Sequence, residues 1–280
     1  NVYFYEILSP GTVMESLESF KLNGLLKTLY NDIRTATQKS ENMAARLKDP
    51  FAKYIDNKDN AWKDDKGHSH SYRTKLNKKM ISVDGVDITL GEAINLYMLT
   101  KREHSHLGLQ EGGYVTYDDQ GAKKVEIKIP DIATTQSNLF AQFDDTDREF
   151  IKMSEKFFNE IASKIKYDAD MEIYGYSNVE EGYYVPIVRD RYSRINGVTD
   201  IRQNAASFAT VNNKSFNKNI VRNAKAIEGQ SILRIINDHA DGLSDYANLY
   251  LPLKAFDRVY NRGVVGDDGK VRSIREVLNT

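Results

Sequence analysis

The 280-residue chain contains no cysteine. Disulfides, thiolate nucleophiles and Cys-ligated zinc are therefore excluded, and the composition fits a reducing compartment. Long apolar runs are missing as well. No stretch approaches the roughly 20 residues that span a bilayer, so no membrane partner is expected. Neither sign of charge is in excess, with 39 Lys and Arg against 40 Asp and Glu and a net charge of −1. No global field then draws the whole protein onto nucleic acid, and any such binding must come from a local patch. Motifs for nucleophilic or phosphate chemistry are absent too. There is no Gly-x-Ser-x-Gly, no phosphate-binding loop ending in Lys-Ser or Lys-Thr, and no His-Glu-x-x-His.

What remains is helical patterning with an ordinary globular composition, 40% hydrophobic and 28% charged. Val13, Leu17, Phe20, Leu25, Leu29 and Ile33 form one apolar stripe of a long helix. It continues through Met43 and Leu47 and is expected to stop near Asp49-Pro50, since proline disfavours helical geometry in the residue before it. The polar stretch from Asp56 to Lys79 reads as a long exposed loop. Alternation around Asp84-Gly85 predicts a hairpin, and Thr89-Leu90-Gly91-Glu92 a capping box opening a helix with Ile94, Tyr97, Met98 and Lys101. That helix closes at the glycines from Gly108 to Gly113.

Tyr114–Tyr117 and Lys124–Ile129 alternate as a second hairpin. A second capping box, Thr146 to Glu149, opens a helix with Phe150, Met153, Phe157, Phe158, Ile161 and Ile165 on one face. Pro186 limits Tyr174–Val188 to an edge strand or an extended packed segment. A long helix follows from Ile232 to Leu253, kinked by Pro252, and Asp267-Asp268-Gly269 turns into a last helical piece. The fold class expected is mainly α (α+β), a long-helix bundle decorated with small antiparallel β-hairpins. Tyr97, Tyr183, Tyr184, Phe157 and Phe158 are expected in its core. One module over residues 1–280 is anticipated, with a subdivision into 1–135 and 136–280 as the alternative. Both ends suggest a piece of a longer polypeptide.

Two His-Ser-His triplets, His68-Ser69-His70 and His104-Ser105-His106, take four of the five histidines. On a strand, residues i and i+2 share a side, so two such pairs could complete an all-nitrogen tetrahedral site for zinc or another divalent metal. A metal-dependent hydrolase or nuclease-like domain would then need Asp64, Asp65 or Glu103 to approach as a base. The other reading makes the first triplet solvated in a loop and the second a cap at a helix C-terminus, where a cationic imidazole meets the dipole. On that reading the chain needs no cofactor. Asp144-Asp145-Thr146-Asp147 resembles a small acidic cluster, but acids before a helix are also what the macrodipole favours.

The segment from Arg189 to Lys225 is basic, with Arg189, Arg191, Arg194, Arg202, Lys214, Lys218, Arg222 and Lys225 against Asp190 and Asp200. Tyr192, Phe208 and Phe216 interleave with them. Such a mixture can track a phosphate backbone and stack on bases. Alternatively, it packs on the acidic stretch Asp144–Glu181. The binding candidates are Arg189, Arg191, Tyr192, Arg194, Arg202, Lys214, Lys218 and Arg222.

Three passages taken together resemble a known family. They are Val13-Met14-Glu15-Ser16-Leu17 running to Asn31-Asp32-Ile33; Thr89–Glu92 through Leu96–Arg102 to His106-Leu107 and Gly112-Gly113; and Tyr183–Ile187 followed by Ile235–His239 and Arg258–Asn261. Their order is similar to the helical associated regions of the large polyvalent proteins of tailed phages, prophages and mobile elements. The resemblance implies a bacterial or prophage origin, a location in the bacterial cytoplasm or the virion, and a parent protein joining enzymatic modules to connecting regions. It carries over no catalytic residue. The expectation is a non-enzymatic structural or interaction module, contacting other domains of the parent polypeptide or nucleic acid.

Overall fold

Pro50 sits inside the first helix, not beyond its end: α1 runs Asn23–Asp56. The computed structural model describes residues 23–117, 122–177, 179, 182–188, 225–262, 264–265 and 271–272. A proline inside a helix costs about 3 kcal/mol, because a hydrogen bond is lost and the ring crowds the preceding turn. Phe51 and Ile55, just beyond Pro50, are buried. Burying two such side chains contributes about 1.5–3 kcal/mol each, enough to carry the helix past the proline.

The stretch expected as an exposed loop is also structured. Strands β1 (Trp62–Lys63) and β2 (Ser69–His70) pair antiparallel, with Trp62 opposite His70. Helix α2 (Tyr72–Lys78) follows, capped by Ser71 and burying Tyr72, Lys75 and Leu76. The polar composition misled because the buried lysine belongs to an ion network.

The hairpin at Asp84-Gly85 is present, β3 (Met80–Val83) against β4 (Val86–Thr89). Asp84 and Gly85 take φ of 49° and 79°, as a two-residue turn matched to strand twist requires. Thr89 and Glu92 form the expected capping box of α3 (Leu90–Lys101). Helix α3 is buried on nearly every side, including Asn95 and Thr100, so no single apolar face defines it. A short helix α4 (Glu103–Leu107) and a π turn (Gly108–Gly112) lead into β5 (Tyr114–Tyr117). Strand β5 pairs antiparallel with β6 (Lys123–Ile127).

Asp131 caps α5 (Ile132–Gln142). The next N-cap is Asp144, reciprocally bonded to Asp147, so the capping box lies two residues before the Thr146–Glu149 box expected. Helices α6 (Asp145–Lys156) and α7 (Ser163–Tyr174) are joined by a π turn, Phe157–Ala162. The wider turn shifts the register: Phe157, Phe158 and Ala162 are buried, whereas Ile161, expected on that face, is exposed. The same turn places the Asn159 side-chain Oδ1 2.6 Å from the Tyr184 amide that donates to it. Tyr184 and Val185 are buried in an extended segment, and Arg102 donates to the Val185 carbonyl at 2.6 Å. Strand β7 (Ile227–Glu228) adds parallel to β5, completing the order β6-β5-β7. Helix α8 (Ile232–Arg262) contains Pro252, and β8 (Val264–Val265) pairs with β9 (Val271–Arg272). Val13–Leu17, Asp267-Asp268-Gly269 and the last helical piece lie outside the described residues.

The chain is mainly helical with small antiparallel strand pairs. It divides into two compact units, residues 1–43 with 244–280, and residues 44–243. Position 135/136 falls inside α5. In the first unit, Leu29, Ala36, Ser40, Tyr246 and Tyr250 are buried, and Ser40 donates to Asp245 at 2.7 Å. The second holds the main core around α3, with Phe51 edge-on to Phe150 and Phe157 at 5.9 and 5.5 Å. Such pairs add about 0.5–1.5 kcal/mol beyond burial. Tyr97, Phe157, Phe158 and Tyr184 are core as expected, and Tyr183 is half-buried.

Candidate functional site

The first histidine triplet closes on one carboxylate. In the β1–β2 hairpin, His68 Nδ1 and His70 Nε2 donate to Asp64 Oδ2 at 3.2 and 3.1 Å. The amides of Lys66 and His68 donate to Asp64 Oδ1 at 3.0 and 2.8 Å. The His70 hydrogen bond foremost, joined by those of His68 and Lys66, holds the Asp64 carboxyl well below the usual range against the opposing effect of desolvation. The His70 ring also lies 5.3 Å from Trp62. Sequence spacing alone brought Asp64 in as a base; here it is the post around which the turn is tied.

The second triplet finishes a helix. His106 Nε2 donates to the Thr100 carbonyl at 2.8 Å, and buried Ser105 donates to the carbonyls of Arg102, at 2.6 Å, and Leu99. These carbonyls belong to the last turn of α3 and its cap, where the run of i to i+4 helical bonds ends. Among the described residues, no group of three or more His, Asp or Glu side chains is arranged to hold a metal ion. The four-histidine site is thus not assembled, because each triplet is engaged by its own local backbone or carboxylate. The fifth histidine, His239, is packed against the rings of Phe157, Phe158 and Tyr184, and burial pulls it down to about 3.

A buried ion network joins α2 to α6. Lys75 donates to Asp144 at 2.5 Å and to Asp147 at 2.7 Å, and Lys79 approaches Asp147 at 3.7 Å. Partial burial opposes ionisation of Asp144, but the Lys75 hydrogen bond and the Asp147 amide hold its carboxyl below the ordinary range. Tyr54 donates to the Thr146 carbonyl and to Glu149, so Glu149 is a tertiary contact rather than part of a capping box. Burial, with Asp147 nearby, pushes the Tyr72 hydroxyl far above its usual range. The acidic cluster is therefore a helix cap whose buried member, Asp147, is paired with a lysine. A pocket of about 280 Å³ between the β3–β4 turn and α5, lined by Ser82, Asp84, Thr135, Asn138 and Gln142, brings one carboxylate and no second charged group.

The basic candidates Arg189, Arg191, Tyr192, Arg194, Arg202, Lys214, Lys218 and Arg222 all lie outside the described residues.

Helix α7 inverts the usual arrangement. Its buried positions are Lys166, Ala169 and Asp170, and Lys166 pairs with Asp170 one turn later. Ser177 donates to the same carboxylate at 3.1 Å. Tyr167, Met171 and Tyr174, by contrast, are 50%, 41% and 41% exposed. At 100° per residue these three fall within an arc of about 60°. Gly175 ends the helix in the left-handed region, and exposed Tyr176 follows it, its ring 5.9 Å from Tyr174. The Tyr-x-x-x-Met-x-x-Tyr spacing is legible in the sequence, but period alone assigns such a row to the core.

No protein-family model, curated protein or solved structure matches the chain.

Proposed function

We propose that the chain is a non-enzymatic structural and interaction module of a large phage or prophage-encoded protein, working in the bacterial cytoplasm or the virion. The observation that carries the interaction reading is α7, where a charged pair is inside while Tyr167, Met171 and Tyr174 face out. Monomer surfaces tolerate scattered apolar residues, but a contiguous row beside buried charges marks a contact surface. The phage context rests on the resemblance of the three sequence passages. Neighbouring domains of the parent polypeptide are the partners proposed, and nucleic acid is a second through the basic residues from Arg189 to Lys225. No helix of the described residues is long and apolar enough to cross a membrane.

Photo-crosslinking tests the reading. A benzophenone side chain replacing Tyr167 should give discrete protein adducts in cells, and the same group at exposed Lys53 should not. Adducts of equal yield at both positions, or none at 167, contradict it.

A further inference from the structure

We infer that the exposed face of α7 docks a basic amphipathic helix of a partner polypeptide, an inference that rests on reading α7 as an interaction face. The acceptor is a helix surface, with its backbone groups already bonded within the helix, so a partner strand has no free edge to extend. The row Tyr167, Met171 and Tyr174, at i, i+4 and i+7, is a ridge of the kind that seats between the side-chain rows of a second helix. Methionine adapts to varied apolar shapes, and tyrosine keeps its hydroxyl in water while its ring is covered.

Charge selects the partner's sign. The exposed charges of α7 itself are Asp168 and Glu172 against Lys164. Asp168 and Glu172, one turn apart, flank the apolar row on one side. Lysine or arginine beside a partner's apolar stripe meets these carboxylates and can sit over the tyrosine rings. An acidic helix or a nucleic acid meets like charge there instead.

Fluorescence anisotropy with labelled peptides tests this. The probes are a helix-forming Leu/Lys amphipathic peptide, its Leu/Glu counterpart, and a scrambled Leu/Lys peptide with no apolar face. The Leu/Lys peptide should bind alone among them. Its affinity should fall about tenfold or more in Tyr167→Ser/Met171→Ser, as loss of central contacts does, and comparably in Asp168→Lys/Glu172→Lys. Unchanged circular dichroism and melting establish that both variants fold. If the Leu/Glu peptide binds as tightly, and the serine variant weakens it, the face stands as an interaction surface and the basic-partner inference falls. If Leu/Lys binding is indifferent to the serine variant, the inference and the reading beneath it both fall. Equal binding of the scrambled peptide, or competition by a single-stranded DNA oligonucleotide at the same face, overturns the inference as well.

Discussion

Lys75 donates to Asp147 at 2.7 Å with both side chains excluded from solvent. Removing one partner of such a pair leaves the other charge buried and uncompensated, which costs about 3–5 kcal/mol. Lys75→Met should therefore lower the urea midpoint strongly, with Lys79, now 3.7 Å from Asp147, recovering part of the loss. Lys75→Met/Asp147→Leu should be less destabilised than the single variant. A single variant within 1 kcal/mol of wild type, on the same estimate, contradicts the network.

Gly229 lies against the ring of Tyr114, where an added Cβ would come 2.3 Å from Cζ. The Tyr114 hydroxyl donates to the Glu92 carbonyl at 2.9 Å, so the ring cannot swing away without losing a buried bond. Gly229→Ala should cost about 1–3 kcal/mol by overpacking, measured by chemical denaturation. Wild-type stability would show that β7 does not press on β5.

His239 sets a pH dependence. Burial among aromatic rings pulls it down to about 3 from an ordinary 6.5, so between these values the unfolded chain binds a proton that the folded chain refuses. Its contribution to stability is full above pH 6.5 and is lost as pH falls, by roughly 1.4 kcal/mol per unit. Melting scans at pH 7 and pH 5 should differ more for wild type than for His239→Gln. Equal shifts in the two proteins refute the assignment.

Asp64 organises a turn, not the whole fold. Asp64→Ala should leave the melting temperature within a degree or two, a change of about 0.5 kcal/mol or less. Amide exchange at Lys66 and His68 should accelerate, because both amides lose their acceptor. Protected amides in the variant would contradict this geometry.

How much was legible depended on whether the determinant was local. The Asp84-Gly85 hairpin and the Thr89–Glu92 box are set by residues that touch one another, and both are present. Local propensity ends the helix at Pro50, and the burial of Phe51 and Ile55, a tertiary effect invisible to propensity, carries it on. Residues 72–78 read as loop because a buried lysine looks solvated until Asp144 and Asp147, some seventy positions later, neutralise it. The π turn at Phe157–Ala162 defeats any fixed 3.6-residue period, which is why the period points Ile161 inward while the fold exposes it. The histidine triplets were found by sequence. Their partners, one carboxylate and one helix end, separate them.

The inversion of α7 is tested most directly by methionine oxidation. Peroxide attacks thioethers in proportion to their exposure, and mass spectrometry reads each site. Met171, 41% exposed, should oxidise at a rate approaching that of Met80, 46% exposed, while fully buried Met98 stays protected until unfolding. Protection of Met171 equal to that of Met98 would place the Tyr167–Tyr174 row inside the fold and contradict the account.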